Sequence, residues 1–152
     1  MVILRNTLKL DMLEVVTNNI TTLSNTDHSS WSQDDIDKLD KYDKAIVFKN
    51  SDGEVLARVK FNTFLEDIVD NKRVYKFSIN GSATLKGLVE IDGEVNTFSI
   101  YGYADGATGI EDCLSILGTV SLQNGTGDIK FNNTYWNEDN MVTITNIFIS
   151  IE

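Results

Sequence analysis

The chain has 152 residues, a formal net charge of −10, 41% hydrophobic residues and 24% charged ones, which suits one domain with a sizeable core. The acidity argues against nucleic acid as a partner, because phosphate binding needs clustered Lys and Arg and the nearest thing to a basic run is the pair Lys72-Arg73. No apolar run approaches the ~20 residues of a membrane span, and Cys113, the only cysteine, excludes an internal disulfide and fits a reducing cytoplasm.

The amino terminus, MVILRNTLKLDMLEVV, carries acids inside its apolar stretch and does not read as a signal peptide. Asn6 to Leu23 reads as an amphipathic helix: Leu13, Val16, Ile20 and Leu23 fall at spacings of three, four and three, with Leu8 and Met12 extending the stripe backward. A strand with Leu8, Leu10 and Met12 facing inward competes with this reading, but the periodic run is long. Next, Ser32 stands three residues before Asp35, and Asp34, Asp35 and Asp37 occupy what would be the first turns of a short surface helix with Ile36 and Leu39 as its apolar stripe.

From Lys44 the period changes to two. AIVFKNSDGEVLARVKF reads as a hairpin around Asp52-Gly53, with Val55, Ala57, Val59 and Phe61 facing one way and Leu56, Arg58 and Lys60 the other. VYKFSIN, TLKGLVEIDGEVNTFSIYGY with a second Asp-Gly turn at Asp92-Gly93, LSILGTVSL, DIKFN and MVTITNIFISI continue the pattern. The expectation is a mainly β chain of seven or eight strands: an antiparallel β-sandwich (jelly-roll or Ig-like) over residues 44–152, preceded by a helical segment over 1–43 and forming one compact domain with it. Proline is absent, so turns fall to Gly, Asn and Asp, which tolerate positive φ.

Two stretches raise sharper questions. GTVSLQNGTGDIKFNNT, residues 118–134, is rich in Gly and Asn, but strands flank it and it lacks the Lys and Ser/Thr of a phosphate loop. It therefore reads as a hairpin with Asn124 and Gly125 at positive φ. In the last strand the apolar parity reverses at Asn146, from Val142 and Ile144 to Ile147, Ile149 and Ile151. A bulge or a strand changing sheets would absorb the reversal; alternatively Phe148 keeps the first phase and the three isoleucines meet another chain.

Chemistry finds no strong candidate. His28 is the only histidine, and a Ser–His–Asp relay would need it oriented by a carboxylate beside a hydroxyl. One His and one Cys are too few for zinc, and Asp34, Asp35, Asp37, Asp40 and Asp43, interleaved with lysines, read as a solvated helix face rather than a calcium loop. The Asn-x-Ser/Thr sequons at Asn19, Asn80, Asn124 and Asn132 read as chance in an Asn-rich chain. Trp31, Trp136, Tyr101 and Tyr103 read as partly buried aromatics closing the ends of the sandwich, or as a platform for sugar or a partner protein. The chain is expected to be no enzyme and to need no cofactor or metal.

Three segments together resemble a family of small tailed-bacteriophage structural proteins: ILRNTLKLDMLEVVTNNI is similar to their opening helix, AIVFKNSDGEVLARVKFN to their first hairpin, and the part from FSIYGY to FISI to their carboxy-terminal strands, through Gly118-Thr119-Val120, Asp128 to Thr134, and Val142 to Phe148. The chain departs from that pattern in the helix-like insert around Trp31 and in lacking proline. The resemblance implies a virion component made in the host cytoplasm, with no catalytic residues to carry over. The resulting expectation is a capsid decoration or cement protein, homo-oligomeric, that binds other virion proteins and neither nucleic acid nor membrane. Its expected partner-facing residues are Leu13, Val16, Ile20, Leu23, Ile147, Ile149 and Ile151. A neck, tail or fibre protein is the second reading, and a carbohydrate-binding sandwich module the third.

Overall fold

The computed structural model describes residues 5–151. Helix α1 spans Asn6–Thr21. Its stripe buries Leu13 and Ile20 and half-buries Val16, as the 3.6-residue period requires. The helix ends where Thr21 and Thr22 turn their hydroxyls onto the carbonyls of Thr17 and Asn18, and a 3-10 turn at Leu23–Asn25 then buries Leu23. Helix α2 spans Gln33–Tyr42. Ser32 is its N-cap, its Oγ accepting the Asp35 N–H at 3.3 Å, with Asp34 and Asp35 in the first turn and Lys41 in the last, where each sign suits the helix dipole.

Strands β1 (Ala45–Lys49) and β2 (Val55–Lys60) form the expected hairpin, with Gly53 at φ 80° in its turn. The ladder slips between Phe48 and Lys49, so one extra residue of β2 enters the pairing. Leu56 is therefore buried next to Ala57, where strict alternation placed it on the outer face. Strands β3 (Thr63–Val69) and β4 (Lys72–Ser78) make a second hairpin, closed by Asp70 and Asn71, both at positive φ. β3 does not stand out in the sequence because its residues alternate poorly and most stay exposed or half-exposed.

Strands β5 (Thr84–Leu88) and β6 (Gly93–Glu94) lie on either side of Asp92-Gly93 but do not pair with each other. The Asp-Gly signal marks a bend between strands that diverge: Val89 bridges Ala57 of β2, its backbone is bonded to Asp139 and Asn140, and Asp92 Oδ1 accepts the Glu138 N–H. The remaining strands are β7 (Thr97–Tyr101), β8 (Leu114–Leu122), β9 (Ile129–Phe131), β10 (Tyr135–Trp136), β11 (Met141–Thr145) and β12 (Phe148–Ile149). The described residues thus form a mainly β chain with two helices, in more and shorter strands than the sequence pattern predicts. The sheet orders are β2-β1-β7-β8-β9, β12-β4-β3, β11-β5 and β10-β6.

The pairing of β8 with β9 overturns the hairpin expected there. It is parallel, with Val120 opposite Ile129 and Leu122 opposite Phe131. Neither Asn124 nor Gly125 has positive φ. The intervening loop folds back over β8 instead: the Gly127 N–H donates to Ser121 Oγ at 2.9 Å, and a Cβ at Gly127 would lie 2.6 Å from the Ser121 nitrogen. The glycines serve close approach, not a left-handed turn.

The parity reversal is also resolved. β11 pairs with β5, Asn146 takes φ 58°, and β12 continues onto β4, so the chain leaves one sheet for another at that residue. β1 is buried on both faces, which explains its unbroken run Ala-Ile-Val-Phe. Ile46 and Phe48 join the main core with Ile20, Leu56, Phe77, Leu85 and Ile100. Ala45 and Val47 face a second core made with Leu23, Trp31, Leu39, Tyr42, Tyr101 and Ile110. The segment from Leu23 through α2 therefore covers the opposite face of the five-stranded sheet.

Candidate functional site

Of the residue types that carry chemistry, His28 and Cys113 are the first to place. The His28 Nδ1 lies 3.1 Å from the Thr26 carbonyl and the ring packs edge-on to Trp31 at 6.0 Å; among the described residues no carboxylate is hydrogen-bonded to it. Cys113 is buried beside the Gly109 carbonyl, and burial pushes its thiol up from the usual cysteine range, away from the reactive thiolate. Among the described residues no group of three or more His, Cys, Asp and Glu converges in a way that could hold a metal, and no helix is long and apolar enough to cross a membrane.

A polar network does lie behind the five-stranded sheet. Lys49 Nζ donates to the Tyr101 hydroxyl at 2.7 Å, and that hydroxyl donates to Glu111 at 3.3 Å. Burial first, and the Glu111 charge second, push the Tyr101 phenol well above its ordinary value, so it stays neutral. Tyr42 stacks on the same ring at 4.8 Å. This arrangement ties α2 and the Glu111 turn to the sheet.

The aromatics proposed as a platform are mostly interior. Trp31 is buried with its Nε1 donating to the Ala107 carbonyl at 2.8 Å, Tyr101 is fully buried, and Trp136 is buried with its Nε1 on the Asn133 carbonyl. Only Tyr103 of the four is exposed. The two indole nitrogens are satisfied by backbone carbonyls and the Tyr101 hydroxyl by Lys49 and Glu111, and the four residues do not form one surface.

The residues expected to face a partner divide in two. Leu13, Ile20 and Leu23 are turned into the chain's own cores, with Val16 half-covered, because α1 lies against β4 and the sheets. The helix face left in solvent is a second apolar stripe, Leu8, Met12 and Val15, spaced four and three; Val15 is 70% exposed. Ile147 and Ile149 are half-buried and pack on the main core from β12 and the residue before it. They line a cleft of about 350 Å³ with Ile116, Leu117 and Phe148. Ile151 lines a different cleft, of about 550 Å³, between the first turns of α1 and the β3–β4 hairpin, together with Lys9, Leu10, Ile68 and Arg73.

No family model, curated protein or solved structure matches this chain.

The cleft holding Ile147 and Ile149 has strand edges along its sides. Among the described residues β8 is paired by β9 only from Val120 onward, and β12 is paired only by β4. Leu117 and Phe148, exposed on those two edges, flank an apolar floor. Sequence reasoning singles out the isoleucines through their parity; it places Leu8 and Met12 on the stripe of Leu13 and Ile20, whereas they are exposed and form a separate outward stripe with Val15. The signal was present: three apolar residues at helical spacing, offset from the buried stripe.

Proposed function

We propose that the protein is a virion structural protein of the capsid-decoration kind, which works by docking onto other virion proteins as a homo-oligomer rather than by catalysis. In this reading the sheets pack as the two layers of a mostly antiparallel sandwich, and α1 is the presented element. One observation carries the reading: α1 has two apolar stripes, and among the described residues only one of them is buried inside the chain. Leu13 and Ile20 fix the helix to the core, so Leu8, Met12 and Val15 are displayed on a rigid support. An outward row of this kind is a feature of binding surfaces more than of isolated soluble domains. The net charge of −10 suits a position away from packaged DNA.

Mass spectrometry and cryo-microscopy of purified virions carrying this gene test the proposal. The expected result is the chain in the particle at the high copy number of a protein that covers a lattice, contacting its neighbours through α1. A low copy number at the neck or tail would move it to another part of the virion, and absence from the particle would end the proposal.

A further inference from the structure

The loop from Asn132 to Asn140 and strand β11 enclose a groove of about 300 Å³ whose lining contains no charged side chain, in a chain that is 24% charged. Its polar lining consists of amides and hydroxyls: Asn132, Asn133, Asn137, Asn140, Tyr135 and Thr143. We infer that this groove is a binding site for a neutral carbohydrate.

Three observations carry the inference. First, these polar groups are available. The side chains of Asn132, Asn137 and Asn140 and the hydroxyls of Tyr135 and Thr143 make no hydrogen bond within the described chain. Amides and hydroxyls both donate and accept, which is what a ring of sugar hydroxyls requires, each of them donor and acceptor at once. Second, an aromatic residue is exposed among them. Tyr135 is 50% exposed, and an aromatic ring with a polar tip can cover the apolar C–H face of a sugar ring while its hydroxyl stays hydrogen-bonded. Third, the site is held in place. Asn133 Oδ1 accepts the Tyr135 N–H at 3.0 Å, and the Asn133 carbonyl accepts Trp136 Nε1 at 3.0 Å. Trp136 in turn packs edge-on against Phe131 at 5.1 Å and Phe48 at 5.3 Å, so the floor is part of the core. A site that is already ordered loses little freedom on binding.

Charge selects among sugars. Glu138 and Asp139 lie in the same loop without lining the groove, and the chain is strongly acidic overall. Sialylated and uronic-acid glycans are therefore disfavoured relative to neutral ones. The inference does not depend on the virion reading and would hold for this chain in any setting.

A printed array of neutral and sialylated oligosaccharides, probed with the full chain, tests the site. Neutral oligosaccharides are expected to be bound and sialylated ones not. For the best neutral oligosaccharide, titration followed by side-chain amide NMR should shift the Asn132, Asn137 and Asn140 resonances. Tyr135→Ala should weaken binding about tenfold, the loss of one aromatic contact of roughly 1.4 kcal/mol. Thr143→Arg, which fills the groove from an exposed strand position without touching the core, should abolish binding while the melting temperature stays put. The inference is overturned if no neutral oligosaccharide binds, if sialylated ones bind better, or if Thr143→Arg binds as the parent does.

Discussion

Thr119 and Asp128 are joined three times: Asp128 Oδ2 accepts the Thr119 N–H at 2.9 Å and the Thr119 hydroxyl at 3.2 Å, and the Asp128 N–H donates to the Thr119 hydroxyl oxygen at 3.4 Å. The pair sits where the loop after β8 returns to start β9, so it fixes the parallel register. Parallel strands joined by so few residues are rare, and this pairing lacks the usual crossover helix. Asp128→Ala should cost about 1 kcal/mol in urea unfolding, the usual value for hydrogen bonds to a charged acceptor discounted for exposure. A change near zero would mean that the register is held by the ladder alone.

Gly127 tests the same loop sterically. Its φ is not in the left-handed region, so Ala is allowed by the backbone, but the added Cβ would meet the Ser121 nitrogen at 2.6 Å. Gly127→Ala should therefore destabilise the fold by about 2 kcal/mol, as overpacking against backbone does. A Cβ at Gly125 would also meet the Ser121 side chain, at 2.7 Å, so both changes should destabilise this loop, whereas in a simple hairpin Gly127→Ala would be nearly silent. Chemical denaturation of the two variants side by side separates these cases.

What the sequence reveals is uneven, for physical reasons. The α1 stripe and the Ser32 cap are local patterns, and both elements form where the residues place them. The β1–β2 hairpin is equally local, but its bulge is not, so Leu56 is read onto the outer face. Asp70 and Asn71 make a tight turn without glycine, which hides β3. Asn124 and Gly125 offer a hairpin that contacts with Ser121 and Thr119 replace by a return loop. The proposed binding surfaces are the least legible. Leu8, Met12 and Val15 become distinct only once Leu13 and Ile20 are seen to be buried. The Asn-rich groove needs β11 beside the loop before its amides and Tyr135 share one space.

Asn146 is the joint between two sheets, and its φ of 58° explains why an Asn stands there. Asn146→Gly should be tolerated to within a few tenths of a kcal/mol. Asn146→Val should cost about 2 kcal/mol, because a β-branched side chain resists the left-handed region. Thermal melts of the two variants check this; equal stability would show that the chain can cross between sheets with ordinary backbone angles.

Two of the carboxyls held low in the fold contribute to acid sensitivity. Lys76 hydrogen-bonds Asp67 at 2.6 Å, and the hydroxyl and N–H of Thr108 hold Asp112, so both stay below the ordinary carboxylate value. A lowered folded value means that their contribution is complete above the unfolded pKa, about 3.9, and disappears as pH falls through the lowered values. Stability should hold from pH ~7 to ~5 and fall below ~4. An Asp67→Asn, Asp112→Asn double variant should lose less than the parent between pH ~5 and ~3 in urea titrations. An identical loss would place the acid sensitivity elsewhere.

The two stripes of α1 make opposite predictions. Ile20 is fully buried in the main core, so Ile20→Asp should cost about 4 kcal/mol and melt the monomer early. Val16 is half-buried, and Val16→Asp should cost about 1–2 kcal/mol. Val15 is 70% exposed, so Val15→Asp should leave the melting curve within ~0.5 kcal/mol of the parent. It should nevertheless remove assembly, because a charge at the centre of an apolar contact is desolvated without a partner. Melting curves and light scattering on the same samples measure both effects. If Val15→Asp assembles as the parent does, the outward stripe is not the docking face.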